Sequence, residues 1–133
     1  MFRSLRTRRI RDDAGASAVE MAILLPVLMA ILFGVLEYGA YFFNRMTLSQ
    51  SAREGVRLLA LGSTSASAQT RATSAAAPLT GVTFPTTTIC PVGAALTANA
   101  TLAVRRTVNF PFPLPGLTTS TVITETAVMR CGV

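Results

Sequence analysis

From Met21 to Phe43 the chain is apolar almost without interruption, and five arginines (Arg3, Arg6, Arg8, Arg9 and Arg11) stand before that run. As a helix rising 1.5 Å per residue, the run covers roughly 34 Å, enough to cross the hydrocarbon core of a bilayer. A basic flank on one side sets the direction of insertion, so the span is expected to run N-terminus in and C-terminus out. Pro26 lacks an amide donor and should kink or loosen the helix where it falls. Tyr38, Tyr41, Phe42 and Phe43 gather at the far end, where an aromatic belt meets the interface. A cleaved secretory signal carries its small-residue cleavage site after the apolar core. Here Ala14, Gly15, Ala16 and Ala18 precede it, which argues against that kind of removal.

Composition agrees with a membrane segment. Hydrophobic residues make up 50% of the 133 and charged residues only 14%, too apolar for an ordinary small soluble domain. The net charge of +6 comes entirely from arginine. A cluster of that kind reads either as a nucleic-acid contact or as a topology signal. It abuts an apolar helix and no nucleic-acid motif accompanies it, so the expected partner is the lipid bilayer, with no nucleic acid. The chain has no histidine, which removes the usual general base and the commonest metal ligand. With no nucleotide loop and no nucleophile–base spacing, no catalytic residues, metal or cofactors are expected, and the protein is not expected to be an enzyme.

Beyond the span, Asn44 to Leu61 keeps helical periodicity. Leu48, Ala52, Val56 and Leu59 form one stripe, with Leu61 near its edge and Arg45, Ser49, Arg53 and Arg57 on another side. Glu54 can reach Arg57 or Leu58 one turn on, and Gly62 is a natural stop. One helix from about Val19 to Leu61 follows, greasy in its first half and amphipathic in its second. Ser65 to Ala77 reads equally as a short alanine-rich helix or a linker, ended by Pro78. Val82 and Phe84 alternate over a short strand before Pro85. Leu102, Val104, Val108 and Phe110 alternate with Ala103, Arg105, Thr107 and Asn109, a period of two broken only by Arg106. Phe110 to Gly116 holds three prolines and reads as a connecting loop, and Thr118 to Cys131 as the return strand. The fold class is α+β, with a small antiparallel β head. A hairpin alone is marginal, so it needs the amphipathic helix as cover.

Cys90 and Cys131 follow the span, in a region expected to be exported, where an oxidising compartment favours a disulfide. Closing that loop would contribute roughly 4 kcal/mol in the chain-entropy view. Two buried free thiols are the alternative; the wide spacing excludes a Cys-x-x-Cys motif. Two acids lie inside or beside the span. Glu20 either rests in the headgroup layer or meets a partner, since a carboxylate in a membrane helix costs roughly 2.5–3.5 kcal/mol on insertion scales. Glu37 either snorkels beside Tyr38 and Tyr41 or pairs with an arginine of another subunit. Gly34, Gly39 and Ala30 offer small surfaces for helix packing.

The stretch Asp12 to Pro26, then Phe33-Gly34-Val35-Leu36-Glu37-Tyr38-Gly39, then Ala52-Arg53-Glu54-Gly55-Val56-Arg57, resembles the signature of TadE-like proteins. These are the pseudopilins or minor pilins of the tight-adherence (Flp) pilus, a branch of type IV pilus machinery. The resemblance implies a pilin-like fold in which residues 1–15 are a cytoplasmic leader, 16–43 the transmembrane helix, 44–62 its amphipathic extension and 63–133 a periplasmic head. It implies cutting by a prepilin peptidase between Gly15 and Ala16, with Glu20 as the fifth residue of the mature chain, tied to processing and subunit registry. Pro26, Gly34, Glu37 and Gly39 would serve helix packing or pairing. The implied partners are the peptidase, other pilin or pseudopilin subunits and inner-membrane assembly proteins. The implied place is the bacterial inner membrane, and the implied role is pilus assembly, adhesion and biofilm formation. The alternative is a single-span scaffold of the same machinery that never enters the filament; a pilin needs Gly15 and Glu20, a plain anchor neither.

Overall fold

The computed structural model describes residues 9–91, 93, 98–110 and 119–132. In chain order these form α1 (Arg9–Ala60), α2 (Ser65–Ala75), β1 (Thr83–Thr88), β2 (Asn99–Asn109) and β3 (Ser120–Arg130). The chain divides into two units, Met1–Tyr38 and Gly39–Val133, and α1 contributes residues to both.

In the first unit the described residues are helix alone. The helix begins ten residues before the expected Val19, at Arg9. Nothing between Arg9 and Val19 stops a helix already formed, since one interior glycine costs only about 1 kcal/mol relative to alanine. Pro26 lies inside α1, and the helix continues unbroken through it.

The second unit is built on the stripe expected from periodicity. Leu48, Ala52, Val56 and Leu59 are all buried, while Leu61 is exposed. Against them pack Ala68 and Ala72 of α2, Ala100, Leu102 and Val104 of β2, and Ile123 of β3. Burying each leucine or valine removes apolar surface from water at a gain of about 1.5–3 kcal/mol. The helix ends at a Schellman-type turn. Gly62 takes a positive φ of 81°, its amide donates to the Leu59 carbonyl at 3.1 Å, and that of Ser63 to the Leu58 carbonyl at 3.0 Å.

Residues 65–75 are helical. Thr64 caps them, its hydroxyl accepting from the Ser67 amide at 3.3 Å. The apolar surface of α2 is small, and alanine is what the site requires. A Cβ placed on Gly55 would collide with Leu102 Cδ2 and lie 3.0 Å from Ala72 Cβ and 3.2 Å from the Ala68 carbonyl oxygen. Backbones therefore meet almost directly at Gly55, where larger residues on α2 would not fit. Ser51 takes part in the same crossing, its buried hydroxyl donating to the Ala72 carbonyl at 2.7 Å.

The β head is a three-stranded antiparallel sheet in the order β1-β2-β3, in which the short strand expected near Val82 and Phe84 lies beside the hairpin of β2 and β3. Strands β2 and β3 pair along their whole length, from Asn99 opposite Arg130 to Asn109 opposite Ser120. Strand β1 runs through Pro85 rather than stopping before it. Its register with β2 is irregular between Thr83 and Thr86, and a proline is tolerated there because β1 is an edge strand. Arg106 does not break the β2 alternation. It takes the inward position after Ala100, Leu102 and Val104, and its guanidinium leaves the core through polar partners. Nη1 donates to Asn44 Oδ1, and Nε donates to the Thr80 carbonyl at 2.9 Å. Buried Asn44 in turn donates to the Ala40 carbonyl at 2.6 Å. Most of the proline-rich connection and Thr118 lie outside the described residues. A disulfide joins Cys90, beyond β1, to Cys131, beyond β3, with a Cα–Cα distance of 5.7 Å.

The contact at Gly55 makes a sharp prediction. Gly55→Val should lower the unfolding free energy by about 2–3 kcal/mol through overpacking. Gly39→Ala, where an added Cβ meets nothing within 4 Å, should leave stability unchanged or raise it by up to about 1 kcal/mol. Urea unfolding of the detergent-solubilised chain compares the two; equal midpoints for the parent and Gly55→Val would refute this account of the crossing.

Candidate membrane and assembly helix

Between Gly15 and Leu36 every residue of α1 is exposed, including Ile23, Leu24, Leu28, Ile31 and Leu32. A helix long and apolar enough to cross a membrane is therefore present, and none of its most apolar window is buried inside the protein. This distinguishes it from the core helix of a soluble protein, which hides such residues. An isolated apolar surface of this extent finds a favourable environment in hydrocarbon, where the helix also satisfies its own backbone groups.

The residues singled out from the sequence lie along this helix and do not converge on a pocket. Ala16 and Glu20 are one turn apart and share a face. Glu20 is exposed, and no partner for it occurs among the described residues. A Cβ at Gly15, Gly34 or Gly39 would meet nothing within 4 Å, so these positions leave the helix surface open to another helix. Glu37 is partly shielded and Tyr38 exposed. Tyr41 departs from the expected belt. It is partly buried and packs against the head's core, while Phe42 and Phe43 remain exposed.

Within the head, polar contacts tie α1 to the other elements. Arg45 Nε donates to Glu125 Oε1 of β3 at 2.7 Å. Glu54 meets Arg71 of α2, with Nη2 at 3.2 Å from Oε2, rather than the Arg57 one turn on. The close approach of α2 at Gly55 brings Arg71 within reach of Glu54, and Arg57 is exposed. These exposed pairs are each worth about 0–1 kcal/mol, so they set orientation more than stability. The roles of Gly55, Asn44 and Arg106 were missed in the sequence. A glycine and an asparagine inside an amphipathic stripe were the available signals.

These features define a class, a membrane-anchored protein with one candidate span among the described residues and a small α+β head. Residues 15–57 match the family model of TadE-like proteins, the family that the sequence resembles. The match associates the chain with the tight-adherence pilus. It covers the apolar part of α1 and ends within the stretch that packs in the head, leaving α2 and the sheet outside it. No curated protein and no solved structure matches the chain.

Membrane anchoring by this helix is testable directly. Each arginine at the centre of a span costs about 2.5–3.5 kcal/mol. The double substitution Leu28→Arg with Leu32→Arg should therefore shift the protein out of the carbonate-resistant membrane pellet. Unchanged pelleting would contradict the assignment.

Proposed function

We propose that this chain is a TadE-like minor pilin or pseudopilin that supports assembly of a tight-adherence (Flp, type IVb-like) pilus. It is made as a precursor in the bacterial inner membrane, leader in the cytoplasm and head in the periplasm. A prepilin peptidase cuts it after Gly15. Sister pilin subunits and inner-membrane assembly proteins are its partners.

The observation that carries this reading is where the family match falls. It begins at Gly15 and takes in Glu20, so the matched segment starts at the proposed junction. The exposure of both residues on α1 is in keeping with a site that other proteins must reach. Cutting there gives Ala16 a free amine. A carboxylate one turn away, in a segment that enters lipid, gains from an opposite charge at short range. The amine of a neighbouring subunit supplies that charge and fixes how far one helix slides along the next. Exposed apolar residues and open glycines along the same helix allow close packing between copies and sister subunits. A scaffold that stays outside the filament has no use for this pairing.

Glu20→Ala should leave the amount of protein in the membrane fraction unchanged and reduce surface pili, adherence and biofilm at least several-fold. Wild-type pilus output from cells in which this is the only copy would overturn the assembly role.

A further inference from the structure

The head begins at the level where the apolar run of α1 ends. Tyr41 belongs to the aromatic group that closes that run, yet it packs against the head's core. Asn44, directly after Phe43, is buried. Beside this stretch of α1, strand β2 runs in the opposite sense. Its Leu102 lies against Gly55, while Arg106, further along β2, reaches Asn44. Strand β2 therefore approaches the membrane as α1 leaves it. The hairpin does not stop at Arg106. Its ladder continues to Asn109 opposite Ser120, and the Phe110 amide donates to the Thr119 carbonyl at 2.9 Å. At 3.3 Å per residue, Phe110 lies roughly 13 Å beyond Arg106, nearer to lipid than the Asn44 that Arg106 meets.

Charge divides the hairpin along the same direction. Arg105, Arg106, Glu125 and Arg130 all lie in its far part, and from Thr107 to Thr124 the sequence contains no charged residue. Among the described residues of this near end, Asn109, Thr119 and Ser120 are exposed, Phe110 is partly so, and Val122 is 56% exposed. Small neutral polar groups with an aromatic ring and a valine suit the membrane–water interface, and no charge there has to lose its water. Arg105 stands next to this uncharged end and is exposed, at the height that lipid phosphates would occupy. Strand β3 is an edge of the sheet, and its outer backbone groups need partners that hydrocarbon lacks. That requirement keeps the hairpin end in the headgroup layer and out of the bilayer core.

We infer that the near end of the β2–β3 hairpin is a second lipid contact of this protein, resting in the headgroup layer on the head's side of the bilayer. Asn109 and Phe110 form it on the β2 side, and Thr119, Ser120 and Val122 on the β3 side. Its partner is the bilayer that α1 enters, because the surface is continuous in level with Phe42 and Phe43, which are exposed where the apolar run ends. The contact limits how far the head can tilt over the membrane. It rests on membrane anchoring and not on the pilus role.

The test uses the full chain, with Cys90 and Cys131 bonded, in phosphatidylcholine–phosphatidylglycerol vesicles at high lipid excess. No pilus machinery is present, so failure here is separate from failure of the assembly reading. Single variants Asn109→Cys and Ser120→Cys, at the hairpin end, carry an environment-sensitive fluorophore. Thr88→Cys, exposed at the opposite end of the sheet, carries the same label as a reference, and Leu28→Cys reports the span itself. Lipids bearing a nitroxide near the glycerol should quench the Asn109→Cys and Ser120→Cys labels several-fold more than the Thr88→Cys label, and the first two should emit further to the blue. Lipids bearing the nitroxide near the chain end should quench the Leu28→Cys label. Quenching at Leu28→Cys, with the hairpin labels no more quenched than Thr88→Cys, would overturn the inference and leave anchoring intact. No quenching at any position would overturn anchoring and the inference together.

Discussion

Two helices come close at Gly55, with the Leu102 side chain of β2 against the same spot, and the head depends on that approach. A side chain there would collide with Leu102 from one side and with Ala72 and Ala68 from the other. With only a hydrogen at Gly55, α2 lies close on α1, and small alanine methyls suffice to exclude water. Leu102 fills the remaining space, carrying β2 and, through its full-length pairing, β3 into the core. A head this small has few large apolar residues to bury, so close packing of small ones takes over part of their work, and the Cys90–Cys131 bridge adds a covalent closure at the ends of β1 and β3.

Polar groups then fix the arrangement laterally. Both acids of the head, Glu54 and Glu125, pair with arginines from other elements. Arg106 and Asn44 satisfy each other at the inner face of the sheet, where an unpaired guanidinium or amide would be costly. The same helix that supplies Asn44, Arg45 and Glu54 to these contacts supplies the exposed apolar residues from Gly15 to Leu36. One continuous element thus combines a lipid-compatible surface with a packed one, each marked by its own pattern of residues.

That division explains which parts were legible in the sequence. The membrane span and the stripe of Leu48, Ala52, Val56 and Leu59 could be read because large apolar residues recur at a helical period. Strands β2 and β3 could be read from alternation, and Gly62 from its place after the stripe. The helical state of 65–75 stayed open because its buried residues are alanines, whose worth depends on an approach that only Gly55 permits. The partner of Glu54 was misplaced because sequence shows local neighbours, while Arg71 arrives through tertiary packing. Arg106 looked like a break in β2 because its acceptor, Asn44, lies on a distant helix. Gly15, Ala16 and Glu20 were visible from their order before the apolar run and from family resemblance; nothing in the folded head bears on them.

The functional account turns on the junction between Gly15 and Ala16. If this chain is matured as a pilin, the leader is removed and the helix begins with a free amine one turn before Glu20. Intact-mass measurement with N-terminal sequencing of the protein from its native membrane decides this most directly. The account predicts a chain starting at Ala16. A chain still starting at Met1 in piliated cells would contradict it and leave a membrane-anchored scaffold.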